Sequence, residues 1–477
     1  MMHLLRRATY GPSKTQIDKY QNLSRKDIIN DLIDTSRKNI EYLDVIQPEM
    51  QKFIDYASAN KRKVNDYIDL DKDELRKMAL AHFYELRSAW MEKMLVTDQQ
   101  LNEKMALFWH NHFATSEKRD IVGQQKLLFD IRKNALGSFG DLLKSVSKSS
   151  VMIYYLNTQQ NTKKSPNENF ARELCELFTL GRDNGYIEED IKEIARCFTS
   201  WKATRVTGTF LELKKGADGG EKVIFGQRGN FTGEDVLDMI IKKKETATFL
   251  VTKIYKYFVN PEVNESRVNQ LADKFYSSRY DIGELMEVIF NSDWFYDQKN
   301  VGSLIKSPIE LVLNIHCQAG IDTFQKNKSL FALKALQQTI FDLPNVGGWP
   351  HDRQWIDSSS LLLRLQLPSI IILNEALQVS VKENNDDTGG EMANEKMTEK
   401  EKRRKLKKQG MSKGLMDNSL KISFSIPVGE DGNKNLLTDY FLAVIPRIEI
   451  EKIDEKGVMA QKQAVVEIMS TPEYQLT

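Results

Sequence analysis

The sequence predicts a mainly α protein: a multi-helix globular body with one small β-hairpin and a C-terminal α/β extension. Three observations carry this. Apolar residues recur every three or four positions over most of the chain, the period of an amphipathic helix. Strand-like composition is nearly confined to Arg205–Leu213 and Lys222–Phe225. A single composition break, residues 383–414, separates a helical body over 1–380 from a segment over 420–477.

The elements follow in order. A helix is expected over Gln16–Thr35, and Asp73–Leu95 carries Met78, Phe83, Leu86, Trp90 and Met94 on one face. Leu101, Met105, Phe108 and His112 repeat the period, and Gly123–Leu136 continues it. From Pro166 to Gly181, Asn167 fits an N-cap and Gly181 the left-handed residue that closes a helix. Phe170, Leu174, Leu177 and Phe178 make its buried face. A second helix, Glu188–Trp201, follows the Asn184-Gly185 turn with an acidic first turn suited to the helix dipole. The hairpin, about residues 205–226, pairs its strands across Gly216–Gly220. Further helices are expected at Gly233–Tyr257, Asn264–Ser277, Ile282–Asn291, Pro308–Gly320 and Ser329–Ile340. The loop Pro344–Pro350 precedes a helix capped near Ser358–Ser360. Residues 383–414 lack core-forming side chains and read as a charged, flexible linker. A strand at Leu420–Ile426 and apolar patterning around Tyr440 and Phe441 suggest that 420–477 docks back on the body.

Lys and Arg total 68 against 67 Asp and Glu, so no net field draws in nucleic acid, and no nucleic-acid partner is expected. The one basic run, Lys400–Lys408, falls in the linker. The most apolar run, Leu361–Leu373, is interrupted by Arg364, Gln366 and Pro368, so no membrane span is expected. Three cysteines, Cys175, Cys197 and Cys317, are too sparse for a disulfide framework and point to a reduced, cytoplasmic protein; a chain trimmed of a leader would read the same.

Several motif-like strings fail on inspection. With Gly185 sixth in a calcium loop, Leu180, Arg182 and Ile191 would occupy oxygen-ligand positions. Gly216–Lys222 has Glu221 where a phosphate loop needs its second glycine. Gly410-Met411-Ser412-Lys413-Gly414 has no strand before it to form a nucleophile elbow. No local metal signature exists, so no metal site is expected and no cofactor is indicated.

Three polar-aromatic constellations remain. Phe108-Trp109-His110-Asn111-His112-Phe113 carries two histidines that diverge on a helix, since residues two apart differ by about 200°. His112 also continues an apolar stripe and reads equally as a core histidine with Trp109 beside it. Asn167-Glu168-Asn169-Phe170-Ala171-Arg172-Glu173 places Asn169 and Glu173 on one stripe, with Arg172 in i,i+4 pairs with Glu168 and Glu176. Asn345-Val346-Gly347-Gly348-Trp349-Pro350 is a tight aromatic loop that holds a ligand or locks two helices.

Together these residues resemble a bacterial family known as domain of unknown function 1800. The resemblance runs from Leu5-Arg6-Arg7-Ala8-Thr9-Tyr10-Gly11 through the three constellations and Lys306-Ser307-Pro308 to Ser470-Thr471-Pro472-Glu473-Tyr474-Gln475-Leu476. It implies a largely helical protein, no known activity, and frequent proximity to a second family related to phosphatases and sulfatases, hence a partner of that kind. This chain departs from the family pattern at Ala217, where His-Asp is usual in place of Ala217-Asp218, at Asn157 in Leu156-Asn157, and at Phe178.

Two readings follow. In one, Glu173 is a general acid or base with His110 or His112 as partner, in a hydrolase or transferase. In the other, a scaffold or ligand- and partner-binding protein, the same residues form a buried His/Glu/Asn polar cluster that fixes helix packing. Asn167, Asn169, Arg172, Asp218, Trp109 and Trp349 are the binding candidates in both. The departures at Ala217 and Asn157 favour the scaffold. Either way, Glu173, Asn169 and a histidine are expected in one hydrogen-bonded cluster, because buried polar groups must find partners.

Overall fold

Side-chain caps start many of the helices: Ser13, Ser24, Ser138, Ser149, Thr232, Asn264, Asp281, Ser307 and Asp357 each accept an amide hydrogen from the first turn they precede. The computed structural model describes residues 1–59, 72–117, 120–321, 323–375, 434–446 and 458–477. Within them the protein is mainly α, with two small two-stranded antiparallel sheets. The charged segment 383–414 and the expected strand at 420–426 lie outside the described residues.

Two expected helices are each divided. Residues 16–35 form Lys14–Tyr20 and Arg25–Ser36, because Ser24 caps a new start. Residues 233–257 form Gly233–Ile241 and Lys244–Phe258, parted at Lys242 and Lys243. The strand pairing also differs from expectation. β1 (Trp201–Thr204) pairs with β2 (Thr209–Glu212), and β3 (Lys222–Ile224) with β4 (Gln227–Gly229). The first turn holds Gly208 at φ +57, against the backbone of Gly123, where a Cβ would come within 2.8 Å of the Gly123 nitrogen. The second turn is two residues long, with Phe225 at φ 50 and Gly226 at φ 76, the backbone that suits the twist of a hairpin. Phe225 is held there by donating its N–H to the Asp190 carboxylate at 2.7 Å.

At the centre lies the tryptophan–histidine helix, Gln100–His112, in which every residue but Asn111 is buried. Met2–Ala8, Arg25–Ser36, Lys72–Val96 and Ile121–Asn134 surround it. A helix enclosed on all sides must pair its own charges. Glu103 receives the Arg132 Nε at 2.9 Å and Nη2 at 2.7 Å, with both side chains wholly buried, and the Trp90 Nε1–H at 2.8 Å. The chain closes on itself at its two ends. Arg6 donates to the Asp439, Tyr440 and Leu442 carbonyls at the end of Lys434–Phe441, and the Tyr474 hydroxyl donates to Gln318 at 2.9 Å. Among the described residues, no helix is long and apolar enough to cross a membrane. Cys175, Cys197 and Cys317 are buried free thiols, and burial pushes those of Cys197 and Cys317 up to about 12.

Candidate functional site

The aromatic loop and the end of the Asn-Glu-Asn helix meet where the tryptophan–histidine helix ends. His110, Asn111 and His112 leave it in different directions, each toward a different backbone group. The His110 Nε2 accepts the N–H of Phe341 at 3.2 Å, its ring edge-on to Trp90, Phe341 and Trp349. The Asn111 Oδ1 accepts the N–H of Trp349 at 2.6 Å. The His112 Nε2 donates to the Phe178 carbonyl at 3.0 Å, which leaves Nδ1 to accept from the Lys253 ammonium at 3.2 Å. Trp109 is buried and donates its indole N–H to the Ala135 carbonyl at 3.0 Å. Both imidazoles are held neutral: burial drives His110 down to about 3, and burial with the nearby Lys253 charge drives His112 well below its ordinary range.

The partner of His112 arises from a change of helix type. The Asn-Glu-Asn helix runs as α over Asn169–Glu173 and widens to a π-helix over Leu174–Thr179, closed by Gly181 at φ +91. The last carbonyls of any helix lack intrahelical donors. Here Lys253 donates to Leu177 O at 3.2 Å and His112 to Phe178 O, so a cation and an imidazole N–H cap the negative end of the helix dipole. Burial brings Lys253 down to about 8.

The remaining candidates do not join this junction. Among the described residues no hydrogen bond links Glu173 or Asn169 to either histidine, so the expected cluster is not formed. Asn169 donates to the Leu156 carbonyl at 3.2 Å, and the Asn167 Oδ1 accepts the Asn169 N–H at 3.0 Å. Arg172 is surrounded by Glu168, Glu176 and Glu188. Glu173 is half-buried, its carboxyl raised by burial and by repulsion from Glu176. Water still reaches it, so burial does not force it to seek the histidines. Trp349 is buried against His110.

Asp218 belongs to a second place. Its carboxylate takes the Arg196 Nε at 2.9 Å and the Gly220 N–H at 2.9 Å, and the Arg196 hydrogen bond holds it down at about 2. Arg196 also lines an open groove of about 910 Å³ between the Glu188–Cys197 helix and the second hairpin. Tyr186, Glu189, Glu193, Val223 and Phe225 line it too, with Lys243 over the Phe225 ring at 4.7 Å. None of Trp109–His112 or Asn167–Glu173 lines this groove. Among the described residues, no group of three or more His, Cys, Asp and Glu side chains is placed to hold a metal ion.

Sequence reasoning missed Lys253, which lies unmarked in an expected helix, and the carbonyls of Leu177 and Phe178, which carry no residue-type signal at all. Asn111 stood inside the quoted motif without a role.

Fold and site define a mainly helical protein in which polar motif residues tie helix ends together beside an open, charged groove. The chain belongs to the family described as protein of unknown function (DUF1800), whose family model matches residues 3–476. No curated protein and no solved structure matches the chain.

Proposed function

We propose that this protein is a helical scaffold that binds a ligand or partner protein, with the groove beside Arg196 as its contact surface. The observation that carries the reading is the use made of the two histidines. Each imidazole is neutral, buried and committed to a backbone group, and Glu173 reaches neither, so an acid–base pair built from them lacks its geometry. The groove offers what a contact surface needs: an aromatic floor at Tyr186 and Phe225, an exposed Val223, and charges of both signs in Glu189, Glu193, Arg196 and Lys243. Three buried thiols fit a reducing, cytoplasmic setting. The family resemblance implies a phosphatase- or sulfatase-related partner.

The test is a binding titration between the purified chain and such a phosphatase-related protein from the same source. A complex is expected, weakened at least tenfold by Glu189→Lys with Val223→Lys, two changes that leave the core intact. No complex, or one indifferent to both changes, would refute the reading.

A further inference from the structure

The opening, Lys-Ser-Pro and closing motifs play no part in the groove, yet they converge on one buried place. Arg6 and Arg7 come from the first helix, Lys104 from the tryptophan–histidine helix, Lys306 from Lys306-Ser307-Pro308, and Arg364 from the Ser358–Ile372 helix. All five are buried, Arg364 wholly so. The carboxylate that Arg7, Lys104, Lys306 and Arg364 all feel is that of Glu310. Glu310 is already engaged, by Lys104 Nζ at 3.1 Å and by the Ser307 N–H at 2.9 Å. Arg6 has Asp439 for its outer neighbour and spends Nη2 on carbonyls.

Among the described residues no salt bridge to a carboxylate is made by Arg7, Lys306 or Arg364. Arg7 uses Nη2 on Asn300 O and Ser303 Oγ, while its buried Nε and Nη1 have no partner among the described residues. Arg364 gives Nε to the Gln475 Oε1 at 3.0 Å and Nη2 to Lys306 O, while its buried Nη1 and the Gln475 Nε2 have no partner among the described residues. The Lys306 ammonium lies over the Tyr474 ring, 3.7 Å from its centroid. Burying cations in excess of counter-charge is costly, and Arg364 bonded to Lys306 O, with Arg7 sharing the field of the same Glu310, makes a place where an anion would be stabilised.

We propose that Arg7, Lys306, Arg364 and Gln475 form a binding site for a multiply charged tetrahedral oxyanion of the phosphate class. The Nη1 of Arg364 and the Nε and Nη1 of Arg7 supply charged N–H donors to such an anion. The lysine supplies a further charge, and the glutamine amide an uncharged donor. Because the site joins both ends of the chain, occupancy would tie the closing segment to the body.

The experiment uses the full chain in phosphate-free buffer, with melting followed against orthophosphate, sulfate and chloride at matched ionic strength. Orthophosphate or sulfate should raise the Tm saturably by about 3 °C at a hundredfold excess over Kd, with chloride ineffective. Lys306→Met should melt higher than the wild type without phosphate and lose the response. Gln475→Glu brings its own carboxylate to Arg364, and should likewise melt higher and respond little. A wild-type response no larger than chloride's, or an undiminished response in both variants, would overturn the proposal.

Discussion

Glu173 keeps part of its carboxylate in water, and its charged neighbours are Glu176, Arg172 and Arg182. Its carboxyl titrates above the ordinary range, so the ionised form is slightly disfavoured by the fold at neutral pH. Glu173→Gln should therefore leave the Tm unchanged within about 1 °C, or raise it slightly, in a thermal melt at pH 7. His110 behaves oppositely. Its folded pKa, about 3, lies below the ordinary 6.5 of an exposed histidine, so the unfolded chain binds the extra proton between the two. Stability is full above pH 6.5 and falls as the pH drops toward 3. His110→Phe should flatten that part of a Tm–pH curve while costing about 1–3 kcal/mol at pH 7, because the Phe341 N–H loses its acceptor. The stripe Leu101, Met105, Phe108, His112 already marked a buried histidine in the sequence. Its partner was not legible, because a backbone carbonyl leaves no trace in residue type.

At the scale of elements, the helix-end capping and the aromatic loop set the geometry. Lys253 sits below its ordinary range at about 8, so the fold disfavours its charge and gains stability as the pH rises from about 8 toward 10. Lys253→Met should lack that gain, which a melt series from pH 7 to 10 reads directly. Gly348 has φ +88, and a Cβ there would lie 2.4 Å from the Asn111 Oδ1. Gly348→Ala should cost about 2–4 kcal/mol in denaturant unfolding, since it strains the backbone and displaces the Trp349–Asn111 hydrogen bond. Gly181 at its helix end was readable as a left-handed position, and the structure gives it φ +91. The π-helix was not, because Leu174–Thr179 is apolar enough to satisfy a straight α-helix equally well. The hairpins show a related limit. Arg205–Gly208 and Phe225-Gly226 are the actual turns, whereas the glycine-rich run at 216–220 connects β2 to β3, which do not pair with each other.

For the whole molecule, helical periodicity settled the architecture, and the mainly α body is what the structure has. The convergence of distant motifs came only from the coordinates, since nothing local in Arg6, Lys306 or Gln475 announces the other two. The closing segment is part of the core: Tyr474 is fully buried, and the Lys306 N–H reaches Gln475 O at 2.8 Å. Removing residues 471–477 should lower the Tm by about 5 °C or more, for it uncovers apolar surface and leaves the Arg364 Nε unpaired. The two histidines hold backbone groups and do not work with Glu173. A double-mutant cycle with Glu173→Gln and His112→Gln, read by denaturant unfolding at pH 7, tests it most directly. Independent action, a coupling within about 0.5 kcal/mol of zero, is the result predicted. A coupling of about 1.5 kcal/mol or more would place both residues in one network and contradict the account.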